Sequence, residues 1–355
     1  LTRKNAVFMR LLAFRKRLNG NKEERRRTMS NGNTIRKAAL ALLSMQRHSW
    51  EQGVAMQAFL EMGEMDTVAA MAVEAVYRSM EDGRAATIGV TDGVTDPCAT
   101  GSGILAAYKN TGKKELKEGY DRLLIWALEK APRNEAGILY HLTTRHEFWA
   151  DSIYMLPPFL AEAGYVTEAL QNLLGYWDTL YDPEAHLMRH MWDDDRKVYV
   201  REAHWGTGSG WALAALVRMD GLLDGRYDRE KELLRSMFRE LLDGVLKWKR
   251  PNGFFGDVLD AEESFSETNL VQMTAYSIYR GMMQQMIPDT YLEEADLLRE
   301  AANSKVTEDG FVHDVCGAPG FDKPGFSPEG QAFYLMMEQA CREWVDSRKG
   351  EKNNE

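Results

Sequence analysis

The sequence predicts an all-α protein built as an (α/α)6 barrel, and three observations lead to that class. From residue 33 onward apolar residues recur at three-to-four spacing, and the sustained alternation typical of strands is nearly absent. The periodic segments number twelve, which makes six helix pairs. No segment rich in proline, glycine or serine is long enough to link separate domains, so the six pairs are expected to share one core.

The predicted helices fall into two alternating sets. Those starting near 50, 98, 149, 207, 267 and 327 are rich in small and apolar residues, as in Gly210–Leu216, and suit an inner ring. The intervening ones are more charged, as in Arg229–Glu232, and suit an outer ring that faces water. Ring closure is an inference, because an open helical solenoid would show the same alternation. The twelve ranges are 33–46, 50–62, 65–81, 98–110, 114–130, 149–163, 166–180, 207–223, 228–248, 267–284, 289–303 and 327–346.

The predicted catalytic domain covers residues 29–348. Residues 1–28 form a basic segment that we expect to be a disordered extension, and residues 349–355 form a charged tail. A chain of 355 residues with 44% hydrophobic composition has enough apolar material for one large core.

Charge and cysteine usage exclude several classes of partner. Lysine and arginine number 44 against 54 aspartates and glutamates, a formal net charge of −10, which argues against nucleic acid or an anionic membrane as the partner. No apolar run approaches the roughly 18 to 20 residues of a membrane span. Cys98, Cys316 and Cys341 are widely spaced and form no CxxC pair, which favours a reducing, cytoplasmic location.

Unusual polar and aromatic residues cluster just before the inner helices. If these helices run parallel, their N-termini converge on one mouth of the barrel. Free N–H groups and positive dipole ends would favour an anionic ligand there despite the acidic chain. The clustered residues are His48, Trp50, Asp96, Trp149, Asp151, His204, Trp205, Trp211, Glu267 and Ser327.

Tryptophan is a second indication of a sugar site. The chain has nine tryptophans, and four of them lie where inner helices begin: Trp50, Trp149, Trp205 and Trp211. Any one alone fits a core aromatic equally well. Four at corresponding positions favour flat surfaces that pack on sugar rings.

Two aspartates are the candidate catalytic groups. A carboxylate in the first turn of a helix is commonly only a cap. Asp151, however, follows Phe148–Ala150 and precedes an apolar segment, a setting that suits a group that gives and takes protons. Asp96 lies one hairpin earlier and fits two roles equally, the second carboxylate of a glycosidase pair and a simple N-cap.

Three histidines, His141, His190 and His204, lie in the loops beside the inner helix starts. Each is either a substrate contact or a structural histidine, and none has the spacing of an HExxH-type metal site. Since a carboxylate and water suffice for proton transfer, we expect neither a metal nor an organic cofactor.

Two segments, Phe148–Ala161 and Trp205–Ala212, resemble the unsaturated rhamnogalacturonyl hydrolases of glycoside hydrolase family 105, which are related to the family 88 unsaturated glucuronyl hydrolases. The resemblance extends over residues 34–346, nearly the whole predicted domain. Supporting matches are Ser49–Gly53, Tyr108–Gly112, His190–Asp193, Glu267–Asn269, Asp309–Phe311 and Glu329–Ala332.

The resemblance implies a hydrolase that removes a terminal 4,5-unsaturated uronic acid from lyase-generated oligosaccharides. Such an enzyme hydrates the C4=C5 double bond, and the resulting hemiketal collapses and releases the aglycone. Asp151 would protonate C4 and activate the water that attacks C5, with Asp96 as the second carboxylate. The substrate, a small anionic oligosaccharide, would contact Trp50, His141, Trp149, His190, Trp205, Thr207 and Trp211.

One segment departs from the family pattern. The family often has WGRGNGW where this chain has Thr207 and Ser209. Threonine lacks the charge and reach of a guanidinium, so the linkage and aglycone are expected to differ from the rhamnogalacturonan type.

Two other functions stay open from the residues alone. One is a different (α/α)6-barrel activity on saturated sugars, such as an inverting glycosidase or a sugar epimerase. The other is a non-catalytic, carbohydrate-binding helical protein.

Overall fold

The computed structural model describes residues 32–317 and 323–352, and all twelve predicted helical segments are found within them. The predicted extension at residues 1–28 lies outside the described part of the chain. The helices are α1 Gly32–Met45, α2 Ser49–Glu61, α3 Met65–Tyr77, α4 Gly101–Thr111, α5 Lys114–Ile125, α6 Ser152–Met155, α7 Pro157–Glu162, α8 Val166–Leu180, α9 Gly206–Leu222, α10 Asp228–Leu246, α11 Asn269–Met283, α12 Leu292–Asn303 and α13 Pro328–Lys352.

The inner helices form a closed ring. In order, α2, α4, the α6–α7 pair, α9, α11 and α13 pack each against the next, and α13 packs on α2. The Gln331 side chain of α13 also donates a hydrogen bond to the Ala38 carbonyl of α1 at 3.2 Å. The chain is therefore an (α/α)6 barrel rather than an open solenoid.

The residue pattern explains which helices lie inside. Helix α9 is built from small and apolar residues and is buried almost all around, as an inner helix between neighbours must be. Helix α10 is amphipathic and buries one stripe, Leu234, Phe238, Leu241 and Val245, against the inner ring. The buried apolar side chains form one core that runs from Ile35 to Trp344.

The predicted helix 149–163 is wrong at its start and in its continuity. Trp149 ends a strand, the helix begins at Ser152, and it is interrupted at Leu156 before Pro157. Proline has no N–H to donate and its ring clashes with the preceding turn, so the hydrogen-bond ladder breaks there.

Short strands occupy the loops at the barrel mouth, although the sequence predicted almost none. Strands of two to four residues contain too few alternations to give a period-two pattern. Three strands form an antiparallel sheet in the order β1-β4-β5, and the others pair as β2-β3, β6-β7 and β8-β9. They are β1 Glu147–Trp149, β2 Tyr181–Asp182, β3 Leu187–Met188, β4 Met191–Asp193, β5 Val198–Arg201, β6 Phe255–Gly256, β7 Ser266–Glu267, β8 Val315–Cys316 and β9 Pro324–Gly325.

Helix α13 continues into the segment expected to be a tail, since residues 349–352 are helical. Across residues 32–317 and 323–352, no helix combines the length and the apolar character that a bilayer-spanning segment requires.

Candidate active site

A cavity of about 630 Å³ opens where the inner helices begin. Its depth comes from the loops and short strands that precede those helices. All nine residues that the sequence nominated for catalysis or substrate binding line this one cavity: Trp50, Asp96, His141, Trp149, Asp151, His190, Trp205, Thr207 and Trp211. The predicted convergence of the inner helix N-termini is thereby confirmed, while the roles of these residues stay predictions.

Asp151 occupies the position just before α6, between strand β1 and the helix. Its side chain makes no capping hydrogen bond to the helix, although its backbone holds the N-cap position. Its Oδ1 is buried and has no hydrogen-bond partner among the described residues. A carboxylate at this position that does not cap the helix is available for chemistry in the cavity.

Asp96 begins a 3-10 turn, Asp96–Thr100, that leads into α4, and its Oδ1 is buried without a hydrogen-bond partner among the described residues. Burial raises the pKa of the Asp96 carboxyl to about 7, against the opposing attraction of His141. The chain comes close beside it at Gly93, where a Cβ atom would lie 2.9 Å from Asp96 Oδ2. The group therefore exchanges its proton near neutral pH.

His141 faces both carboxylates. Its Nε2 is 3.9 Å from Asp96 Oδ1 and 4.0 Å from Asp151 Oδ2. Its Nδ1 is within hydrogen-bond distance of the hydroxyls of Ser152, at 2.9 Å, and Thr95, at 3.2 Å. Because these two hydroxyls fix the ring, His141 holds Nε2 towards both acids.

Stacked aromatic pairs form the walls of the cavity. His141 stacks on Trp149 with ring centroids 4.2 Å apart, and His190 stacks on Trp205 at the same 4.2 Å. The edge of His190 meets Trp149 at 6.0 Å and joins the two pairs. Such rigid, flat, partly apolar walls suit a sugar ring.

A third carboxylate, Glu329 at the start of α13, faces the same cavity. It accepts a hydrogen bond from the Trp50 indole at 2.5 Å, and its other oxygen has no partner among the residues described. Burial, with repulsion from Glu51, raises the pKa of Glu329 to about 7. Asn269 Nδ2 nearby in the lining is likewise buried without a described partner.

The segment that departs from the family pattern forms the first turn of α9. Thr207 lines the cavity, and its buried hydroxyl has no described partner. Ser209 has a structural contact instead: its hydroxyl accepts a hydrogen bond from the Met188 backbone N–H at 3.2 Å. Gly208 lets the helix approach the site, since a Cβ there would lie 3.0 Å from the Trp205 ring and 3.1 Å from Ala150.

The structure separates several other flagged residues from the cavity. His204 pairs with Asp182 at 3.1 Å and Asp260 at 2.7 Å instead of contacting the site. Glu267 accepts the Asn269 and Leu270 N–H groups and caps α11. These contacts agree with the structural role that the sequence left open for His204.

Sequence reasoning missed several lining residues. Arg145 and Arg201 bring positive charge into an otherwise acidic lining, and Glu329 was noted only as part of a family match. The signal for Glu329 was its position at the last inner helix start. No comparable helix-start signal marked Arg201, which lies at the end of β5.

Three lining groups also have the spacing of a metal site. One ligand atom each from Asp96, His141 and Asp151 lie within 4.8 Å of one another. No ligand-spaced motif was visible in the residue order, because the three residues are 45 and 10 positions apart along the chain (141 − 96 and 151 − 141). The same geometry serves proton exchange, in which two acids and an imidazole share one small volume.

Comparison with known proteins places this geometry in a family. The profile of Glycosyl Hydrolase Family 88 matches residues 22–341. The unsaturated rhamnogalacturonyl hydrolase YesR of Bacillus subtilis (strain 168) is 24% identical over 228 residues, 58% of this chain and 66% of that protein. The aligned part is thus just under two thirds of the relative's length.

Solved structures share the fold. A family 105 glycoside hydrolase of Clostridium acetobutylicum ATCC 824 superposes with a TM-score of 0.75 at 17% identity, covering 89% of this chain and all (100%) of the other. An unsaturated glucuronyl hydrolase of Bacillus sp. GL1 gives a TM-score of 0.66 at 14% identity, with coverages of 86% and 94%. Since the family profile covers most of the chain, this protein belongs to glycosyl hydrolase family 88.

Proposed function

We propose that this enzyme removes a terminal 4,5-unsaturated uronic acid from oligosaccharides produced by polysaccharide lyases. The observation that carries the proposal is the pair Asp96 and Asp151, whose Oδ1 atoms have no hydrogen-bond partner among the described residues and whose carboxylates lie 3.9 and 4.0 Å from His141 Nε2. YesR is an unsaturated rhamnogalacturonyl hydrolase and the Bacillus sp. GL1 protein an unsaturated glucuronyl hydrolase, activities of the kind proposed.

Asp151 supplies the proton exchange in this proposal. In its acid form it donates a proton to C4 of the double bond. The resulting carboxylate then takes a proton from the water that attacks C5, so the acid is regenerated and the net change is the addition of one water. The C5 hemiketal collapses and releases the aglycone.

Asp96 supports this exchange through its raised pKa. With a pKa of about 7 it is partly protonated at neutral pH, and the protonated form donates a hydrogen bond that a carboxylate cannot. Besides burial, the nearby Asp151 carboxylate adds to the raised pKa of Asp96, and His141 opposes it.

The spacing of the acids disfavours an inverting glycosidase acting on saturated sugars. Such enzymes separate their carboxyl groups by about 6.5 to 9.5 Å to leave room for water. Here one oxygen of Asp96 and one of Asp151 lie within 4.8 Å of each other.

The test is an absorbance assay. Lyase-generated oligosaccharides from pectin and from glucuronate-containing glycans are incubated with the protein, and the ultraviolet band of the conjugated double bond is followed. We expect loss of the band with one of these substrates. Equal cleavage of saturated counterparts of the same length would contradict the proposal.

A further inference from the structure

One cross-strand row of the β1-β4-β5 sheet contributes three side chains to the cavity. Trp149 lies opposite Met191, and Met191 lies opposite Arg201. Residues directly opposite in an antiparallel pair present their side chains to the same face. All three line the cavity. The sheet therefore holds Arg201 on the same face as Trp149, and Trp149 precedes Asp151 by two residues in the chain.

Arg201 is the less compensated of the two cavity arginines. Its Nη1 donates to His190 Nδ1 at 2.7 Å, and its nearest described carboxylate oxygen, on Asp257, is 3.9 Å from Nη2. Arg145 instead pairs with Glu147 at 3.1 Å, and its side chain is 56% exposed. A guanidinium carries five N–H donors, so Arg201 retains donors for a ligand.

A uronic acid differs from a neutral sugar by one carboxylate on C5, the carbon that water attacks. At the first turn of α9 the cavity is lined by Thr207, whose uncharged hydroxyl cannot neutralise that carboxylate. We propose that Arg201, delivered from strand β5, binds the substrate carboxylate in this enzyme and so selects uronic over neutral sugars. This assignment rests on the proposed function.

The contact with His190 prepares Arg201 for this role. Because the guanidinium donates to Nδ1, that nitrogen must be the lone-pair acceptor and the proton of His190 must lie on Nε2. Burial and the neighbouring Arg201 charge lower the pKa of His190 well below its ordinary value. The imidazole therefore stays neutral, so it accepts the guanidinium hydrogen bond without repelling the positive charge of Arg201.

The experiment compares a free acid with its methyl ester. Parent and Arg201→Gln are assayed on the unsaturated uronide and on the uronide methyl ester, which keeps the double bond and loses the charge. We expect kcat/KM on the acid to fall on the order of 10- to 100-fold, the range of a charge-assisted hydrogen bond. The loss on the ester should be several-fold smaller, because only the acid loses an ionic partner.

Two variants make the comparison interpretable. Arg201→Lys keeps the charge without the planar fork and should fall between parent and Arg201→Gln on the acid. Arg196→Gln changes an exposed arginine in the turn of the same hairpin and should match the parent. Thermal unfolding followed by circular dichroism establishes that each variant is folded.

The possible results separate the two proposals. Equal loss on acid and ester, with the parent active, would show that Arg201 acts only through His190, and would overturn this assignment alone. A parent that consumes neither unsaturated substrate would overturn the proposed function and this assignment with it.

Discussion

Two clusters of charged groups, at opposite ends of the barrel, are built in opposite ways. At the mouth, Asp96 and Asp151 lie 3.9 and 4.0 Å from His141 Nε2, and each leaves Oδ1 without a described partner. At the far end, Arg280 near the end of α11 pairs with Glu61 at 2.6 Å and also with Glu343.

In the far cluster the Glu61 carboxylate also has hydrogen-bond partners on both oxygens. Tyr276 donates its hydroxyl to the other oxygen of Glu61 at 2.8 Å, so both oxygens of that carboxylate are used. At the far end two acids hold one arginine in direct ion pairs, whereas at the mouth two acids face one imidazole at about 4 Å without a hydrogen bond to it. The proposed function accounts for this difference, because it requires charges at the mouth that are arranged for reaction at a cost in stability.

The largest expected effect is on the mouth cluster. Asp151→Asn should lower kcat on the unsaturated substrate by at least about 100-fold, because asparagine neither donates a proton to C4 nor accepts one from water. Single-turnover loss of double-bond absorbance measures it. Asp224→Asn, at an exposed aspartate that does cap its turn, is the control and should keep parental activity. A folded Asp151→Asn enzyme within a few-fold of the parent would remove Asp151 from the mechanism.

A substitution in the far cluster should affect stability and not activity. Arg280→Met should lower the free energy of unfolding by about 3 kcal/mol or more, because it leaves the partly buried Glu61 carboxylate without its cation. Urea denaturation measures this change. The kcat of the folded fraction should stay at the parental value, since Arg280 lies at the other end of the barrel.

An exposed pair provides the control for that measurement. Arg226→Met breaks the ion pair with Asp224. The Arg226 side chain is 79% exposed and that of Asp224 is 56% exposed, so the urea midpoint should stay nearly unchanged. If Arg280→Met behaved like Arg226→Met, the far cluster would not be a stabilising element.

A smaller effect concerns stability against pH. The pKa of Asp96 is about 7 in the folded protein against an ordinary value of 3.8, so between these values the folded state binds more protons than the unfolded one. Stability therefore falls as pH rises through that window. Asp96→Asn removes this contribution. The urea midpoint of the variant should therefore decline less than that of the parent between about pH 5 and about pH 8. Parallel curves would contradict the raised pKa.

The last prediction is that removing metal ions does not change activity. Exhaustive dialysis against a chelator should leave activity intact, because the proposed exchange needs only carboxylates and water. The group Asp96, His141 and Asp151 provides the obvious site for an exception. Loss of activity that a divalent ion restores would turn the mouth cluster into a metal site.

Apart from the 149–163 segment, the sequence predicted the helices well because each of the other segments is long, about three turns or more, and lacks the alternation of a strand. It failed at Leu156, where the apolar run continues through a break that only Pro157 and Pro158 announce. It also left Asp96 and Asp151 between cap and catalyst, because a cap depends on side-chain direction, which residue order does not contain.

Arg201 shows a different limit. Its strand alternates exposed valines with Tyr199 and Arg201, but four residues are too few to set a register. Only the pairing with Met191, including a bulge between Met191 and Trp192, brings the guanidinium over the cavity. Residues placed by sheet register at a barrel mouth are therefore harder to predict than residues placed by helix starts.

Ring closure has a consequence for synthesis on the ribosome. Helix α13 fills the gap between α11 and α2, and Gln331 reaches Ala38 across 293 residues of chain. Until α13 has emerged, the preceding hairpins form an open arc whose inner faces on α2 and α11 are apolar and uncovered. We therefore expect the nascent chain to be most prone to aggregation in the interval before α13 docks.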